Sequence, residues 1–229
     1  MHLSFKDLLH IFFPERCVVC DKQLLKNEKI ICITCRHDLP LTGFTYEPDN
    51  EMERSFTGRL KIVSATALVY FYKKGIVQKL IHKLKYQGHQ EIGKFFGDWL
   101  GIEIKSSDRF KGLEVIVPVP LHPKKLKQRT YNQVSEFGKS LSEILEIPFE
   151  EDLLIRNIYT ETQTYKHRTD RFQNTKNIFG LNNSEAYQGK HILLIDDVLT
   201  TGATLEACCY ELERIPGIRI SIATMAYTP

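Results

Sequence analysis

Residues 191–204 read His-Ile-Leu-Leu-Ile-Asp-Asp-Val-Leu-Thr-Thr-Gly-Ala-Thr, and no other stretch limits the fold as tightly. The apolar run 192–195 has the character of a buried strand. It delivers two carboxylates, Asp196 and Asp197, at its carboxyl end, and a helix over 203–214 follows. Gly202 lets the backbone approach a ligand closely. The first free amides and the dipole of the helix favour an anion, and the threonine hydroxyls add donors. Thr200, Thr201, Gly202, Ala203 and Thr204 thus form a phosphate cradle. The two acids would repel a phosphate. They suit the hydroxyls of a ribose, or a Mg²⁺ ion, beside it. The ligand implied is a sugar phosphate with vicinal hydroxyls.

An apolar run ending in Asp-Asp also describes a Walker B strand, which requires a P-loop elsewhere. The stretch 88–94 has the glycine spacing, but Phe95 stands where a Mg²⁺-binding Ser or Thr belongs, and a helix-like segment precedes it. Gly138-Lys139-Ser140 has Gln133 where the first glycine should be. The nucleoside-triphosphatase reading is therefore set aside.

The pattern around the loop alternates strand and helix. Residues 62–71 are rich in β-branched and aromatic types and read as a strand. Helices are expected over Ile76–Tyr86, 90–101 and 131–146. Short strands are expected at 115–117, 153–155 and 218–225. Such alternation implies a parallel sheet covered on both faces, whose ligands bind beyond the carboxyl ends of the strands. The loops after Val117 and Ile195 are the places for a site.

Four cysteines stand apart from this pattern: Cys17, Cys20, Cys32 and Cys35, two Cys-x-x-Cys pairs separated by eleven residues. Each pair can wrap one side of a metal ion, and four thiolates suit a closed structural Zn²⁺ site. His37 is read as a bystander, and the adjacent Cys208 and Cys209 as core residues. Upstream, residues 3–13 look like a short amphipathic helix ended by Pro14. Residues 43–60 lack periodicity and read as a linker. The 229 residues, 42% apolar and 26% charged, exclude a disordered or fibrous chain. No apolar run is long enough to span a bilayer. The N-terminus carries Lys6 and Asp7 inside its apolar stretch and lacks a small-residue cleavage site, which argues for a reducing, cytoplasmic setting.

The segment 192–204 resembles the phosphoribosyl-pyrophosphate (PRPP) motif of type I phosphoribosyltransferases. With the cysteine quartet, the whole chain is similar to the ComF family, a zinc module fused to a phosphoribosyltransferase-like domain. Further matches are Pro118-Val-Pro120-Leu-His-Pro with Lys124, Lys125 and Arg129, then Tyr131-Asn132-Gln133, Arg156, Gln163, Arg171, Asn174 and Phe179. Thr130 departs from the glycine usual before the aromatic-Asn-Gln. The fold expected is α/β: a type I phosphoribosyltransferase-like parallel sheet flanked by helices over 61–229. A small four-cysteine zinc module over 1–42 precedes it, joined by the linker 43–60. The resemblance implies that Asp196 and Asp197 bind the ribose hydroxyls, that 200–204 hold the 5′-phosphate, and that Mg²⁺ accompanies the pyrophosphate. It also implies a part in natural competence, the uptake of DNA into the cytoplasm. Partners would be single-stranded DNA and a competence helicase or membrane-channel protein, and the chain could rest on the inner face of the membrane. The alternative is an enzyme that transfers phosphoribose to a nucleobase or similar acceptor with release of pyrophosphate.

The net charge of +3 is unevenly placed. Residues 73–129 hold thirteen Lys or Arg against five Asp or Glu, an excess of eight, so the remainder carries a net −5. The run Lys124, Lys125, Lys127, Arg129 lies where pyrophosphate would sit. Lys79, Lys83 and Lys85, with His82 and Tyr86, form a second basic cluster. Cations interleaved with aromatics suit contact with a single-stranded nucleic acid. The polar stretch 160–177, with Gln163, His167, Arg168, Arg171 and Asn174, resembles a lid that closes over a ligand.

Overall fold

The computed structural model describes residues 15–122, 131–156 and 178–229. The expected helix 3–13, the cations Lys124, Lys125, Lys127 and Arg129, the departure at Thr130 and the lid 160–177 lie outside them.

Four parallel strands form the main sheet, in the order β1 (Ala65–Tyr70), β6 (Arg219–Tyr227), β5 (His191–Leu199), β2 (Val115–Pro118). Nearly all their side chains are buried, as a sheet covered on both faces requires. On one face lie α3 (Ile76–Tyr86), α4 (Glu91–Ser106) and α5 (Ser135–Leu145), around Leu80, Leu84, Phe96, Leu100, Phe137 and Leu141. On the other lie α6 (Ala203–Leu212) and an antiparallel pair, β3 (Leu154–Arg156) with β4 (Phe179–Leu181). At the amino ends of the strands a buried polar chain ties the sheet together: His191 Nε2 is 2.9 Å from Ser221 Oγ, itself 2.9 Å from Ser64 Oγ.

Several elements differ from expectation, for physical reasons. β5 runs past the two acids to Leu199, because β6 offers it a partner throughout: Asp196 pairs with Thr224, Val198 with Ala226 and Leu199 with Tyr227. α4 continues five residues beyond Gly101, which is buried against Ile144 of α5. α5 begins only at Ser135 because Tyr131, Asn132 and Gln133 serve as tethers, as shown below.

The stretch 43–60, read as a linker, is built into the core. Phe44, Met52 and Phe56 are buried beside the sheet, and α2 (Glu51–Arg54) lies within it. Asn50 explains how a stretch without periodicity is held. Fully buried, it caps α2 by accepting from Glu53 N at 3.1 Å, and its amide donates to the carbonyls of Phe44, Glu47 and Ala65. A buried amide with all these bonds made offsets its desolvation. The cysteine segment, with α1 (Ile33–His37), joins the other side: Cys17, Val18, Ile31, Cys32, Cys35 and Leu39 share one continuous core with α3, α4 and α5. Arg36 lies over the Trp99 ring of α4, 4.6 Å from its centroid.

Candidate functional site

At the carboxyl end of β5 the chain turns through 200–202 into α6. Gly202 has φ +79, a left-handed conformation in which a side chain would be strained. A Cβ there would also lie 3.2 Å from the Phe56 ring. No side chain caps α6, so its amino end faces the turn with backbone donors. The turn encloses a pocket of about 40 Å³ lined by Asp196 and residues 198–205. That is room for one compact group, far below the roughly 300–1,000 Å³ of a site that engulfs a whole ligand. Asp196 and all five cradle residues, 200–204, are therefore together.

The structure separates the two acids. Asp196 is half-buried beside the pocket, and its Oδ1 accepts from Asp197 N at 2.8 Å. Asp197 does not line the pocket. It is 5% exposed; Lys85 Nζ reaches its Oδ1 at 2.8 Å, and Gln133 Nε2 donates to its Oδ2 at 2.7 Å. Successive strand residues point to opposite faces, which is why adjacent carboxylates have such different surroundings. Lys85, read from sequence as part of a basic cluster, is thus an ion-pair partner of the site.

The Tyr-Asn-Gln motif proves to be a set of tethers. Tyr131 Oη donates to the Leu84 carbonyl at the end of α3, Asn132 Nδ2 to the Val119 carbonyl after β2 at 3.4 Å, and Gln133 to Asp197. Together they bind the start of α5 to the strand ends. Arg156 and Phe179, also matched from sequence, face each other in register across β3 and β4, the guanidinium 5.3 Å from the ring centroid.

The cysteine quartet is assembled. All four Sγ atoms lie within 4.8 Å of one another, with Cys20 and Cys32 3.7 Å apart. A Zn–S bond of about 2.3 Å puts the corners of a tetrahedron about 3.8 Å apart, so the sulfurs fit such an ion. Cys32 N approaches Cys17 Sγ at 3.4 Å and Cys35 N approaches Cys32 Sγ at 3.5 Å, the amide contacts that steady thiolate ligands. Burial pushes the Cys17 thiol up, but the amides of Cys32, Cys20 and Val19 outweigh it and bring it down to about 7. Burial and the other sulfurs raise Cys35. A cation among them would reverse that repulsion. His37 is exposed and outside the cluster, and Cys208 and Cys209 lie on α6 with their side chains buried in the core.

Much of the basic stretch is already engaged. Lys85, Lys94, Lys105, Arg109 and Lys111 pair with Asp197, Asp98, Glu146, Glu53 and Asp108 respectively. Among the described residues, Lys79 and Lys83 have no such acid.

A parallel sheet flanked by helices, with a strand–acid–hydroxyl turn at its carboxyl edge, makes this a type I phosphoribosyltransferase-like domain carrying a four-cysteine module. Residues 135–229 match the phosphoribosyl transferase domain family. The chain is 35% identical over 130 residues to competence protein F of Haemophilus influenzae, covering 55% of this chain and 57% of that one. It is 33% identical over 129 residues to the DNA utilization protein YhgH of Escherichia coli, 55% and 56% of the two chains. With competence protein ComFC of Bacillus subtilis it shares 29% over 213 residues, 82% and 85% of the two. The matches to the first two span little more than half of their length. Among solved structures, a glutamine PRPP amidotransferase of B. subtilis aligns with a TM-score of 0.42 and 16% identity over 62% of this chain and 30% of that one. The names of these curated relatives and the domain match support a place in the ComF family. No helix among the described residues is long and apolar enough to cross a membrane.

Proposed function

We propose that this is a PRPP-binding, zinc-containing ComF-family protein that handles incoming single-stranded DNA in the cytoplasm during natural competence. The observation that carries the reading is the small pocket in which Asp196 and residues 200–204 converge at the amino end of α6. In this reading 1–42 supply the zinc module and 61–229 the PRPP-binding domain, with 43–60 between them. Cys17, Cys20, Cys32 and Cys35 hold a structural zinc. Thr200, Thr201, Thr204 and the amides around Gly202 and Ala203 hold the 5′-phosphate. Asp196 meets the ribose hydroxyls, while Asp197, held by Lys85 and Gln133, orients the turn. Lys124 and Arg129 meet the pyrophosphate, whose charge Mg²⁺ neutralises when bound. The competence role rests on the names of the curated relatives, and the DNA partner on those names and the basic stretch.

The test is calorimetry with PRPP and Mg²⁺. The Asp196→Asn variant keeps the shape of the turn and removes the charge, so folding and binding can be read separately. Losing hydrogen bonds to a charged group costs about 1.5–3 kcal/mol, an affinity loss of roughly 10- to 100-fold. An unaltered affinity in this variant would refute the site. The match to a phosphoribosyl transferase domain favours a second reading, transfer of phosphoribose to a nucleobase-like acceptor. Pyrophosphate release on incubation with PRPP, Mg²⁺ and a panel of bases decides for it.

A further inference from the structure

We infer that the groove between the cysteine module and α3 is a docking track for the phosphodiester backbone of a single-stranded nucleic acid, separate from the phosphoribosyl pocket. The inference rests on the DNA-handling reading above and gives it a place on the molecule.

The groove has a volume of about 430 Å³, lined by Val19 and Asp21 of the module and by Gln78, Lys79, His82 and Lys83 of α3. Lys79 and Lys83 are four residues apart, so both project from one face of the helix, about 6 Å apart along its axis. Among the described residues they alone of the α3 lysines have no acid within ion-pair distance. Lys85 lies two residues on, about 200° around the helix, and is spent on Asp197 on the opposite side. One helix therefore presents one lysine to the phosphoribosyl site and two to the groove. At the start of α3, the backbone N–H of Lys74 donates to Gln78 Oε1 at 2.7 Å, which holds one of the lining side chains in place. At the other end His82 packs on Tyr86, ring centroids 5.0 Å apart, and Tyr86 is 64% exposed. A strand threaded past the two lysines meets this aromatic pair, on which a base can stack.

Asp21 is the one carboxylate in the lining, and it stands on the module wall, across from the lysines. Two lysines in the lining, without an acid partner among the described residues, favour an anionic backbone over an apolar peptide. The exposed His82–Tyr86 pair favours a single strand, whose bases are free to stack, over a duplex.

The experiment is fluorescence anisotropy with a labelled oligo-dT, a duplex of equal length, and a salt titration. Proteins compared are the wild type, Lys79→Gln/Lys83→Gln, and Lys139→Gln as a paired-lysine control. The double variant is expected to weaken single-strand binding tenfold or more. It should reduce the salt slope by about 1.4, two contacts at about 0.7 each on a single strand. PRPP affinity should stay unchanged, and the control should match the wild type. A double variant with wild-type affinity and slope overturns the groove and leaves the DNA reading standing. Equal affinity for the duplex overturns the single-strand assignment. A wild type that does not bind the oligonucleotide overturns both the groove and the DNA reading.

Discussion

Lys85 and Asp197 lie 2.8 Å apart, the lysine side chain 22% exposed and the carboxylate almost wholly enclosed. Their pairing separates two roles that the adjacent acids share by type. Breaking a fully buried ion pair by removing one partner costs about 3–5 kcal/mol; because one end of this pair still meets water, we expect about 1–3 kcal/mol for Lys85→Met. Urea unfolding at neutral pH measures it, and a change within error of zero would mean that Gln133 alone supports Asp197. The same geometry makes Asp197→Ala a poor probe of binding, since it strands Lys85 and Gln133. Residue type and spacing marked both acids as candidate site residues, and the structure puts Asp196 but not Asp197 at the pocket. Nothing in the sequence linked Lys85 to a carboxylate 112 positions away, because a contact between distant elements leaves no local pattern.

α4 carries Gly93, Gly97 and Gly101, four residues apart and therefore on one face, and that face meets α5. A Cβ at Gly97 would lie 2.7 Å from Ser140 Cβ and 2.8 Å from the Phe137 carbonyl oxygen. Helix propensity favours Ala over Gly by about 1 kcal/mol, so at an exposed site Gly97→Ala would stabilise. Here the obstacle is partly backbone and cannot swing aside. Overpacking costs about 1–3 kcal/mol and should outweigh the gain, giving a lower Tm by calorimetry. A raised Tm would show that α4 and α5 can separate without loss. These glycines also explain the false P-loop spacing at 88–94: Gly93 approaches the Phe137 amide, with no phosphate needed to account for it. The type of each principal element was legible from apolar periodicity. Their ends were not, because β5 is prolonged by its partner strand and α5 is shortened by the tethers before it.

The cysteine module and the sheet domain share one core, through Cys17, Val18, Ile31 and Leu39 on one side and α3 to α5 on the other. An independently folded bead would lose its metal without consequence for the rest. Here, stripping zinc from a loaded preparation with a chelator should lower the Tm of the whole chain. It should also shift the emission of Trp99, the single tryptophan, as Arg36 leaves its ring. An unchanged main transition would contradict the shared core. By itself the sequence determined the class of fold, the cysteine quartet that could hold a metal ion and the turn proposed to cradle an anion. Each is written in local spacing: an apolar run, two Cys-x-x-Cys pairs, a glycine at a helix start. Only the tertiary structure decided that the apparent linker is core, that one acid faces the pocket while its neighbour is tied to α3, and that the lysines of α3 divide between two surfaces. Those outcomes depend on which elements pack together, and packing is settled by the burial and pairing of groups far apart in the chain.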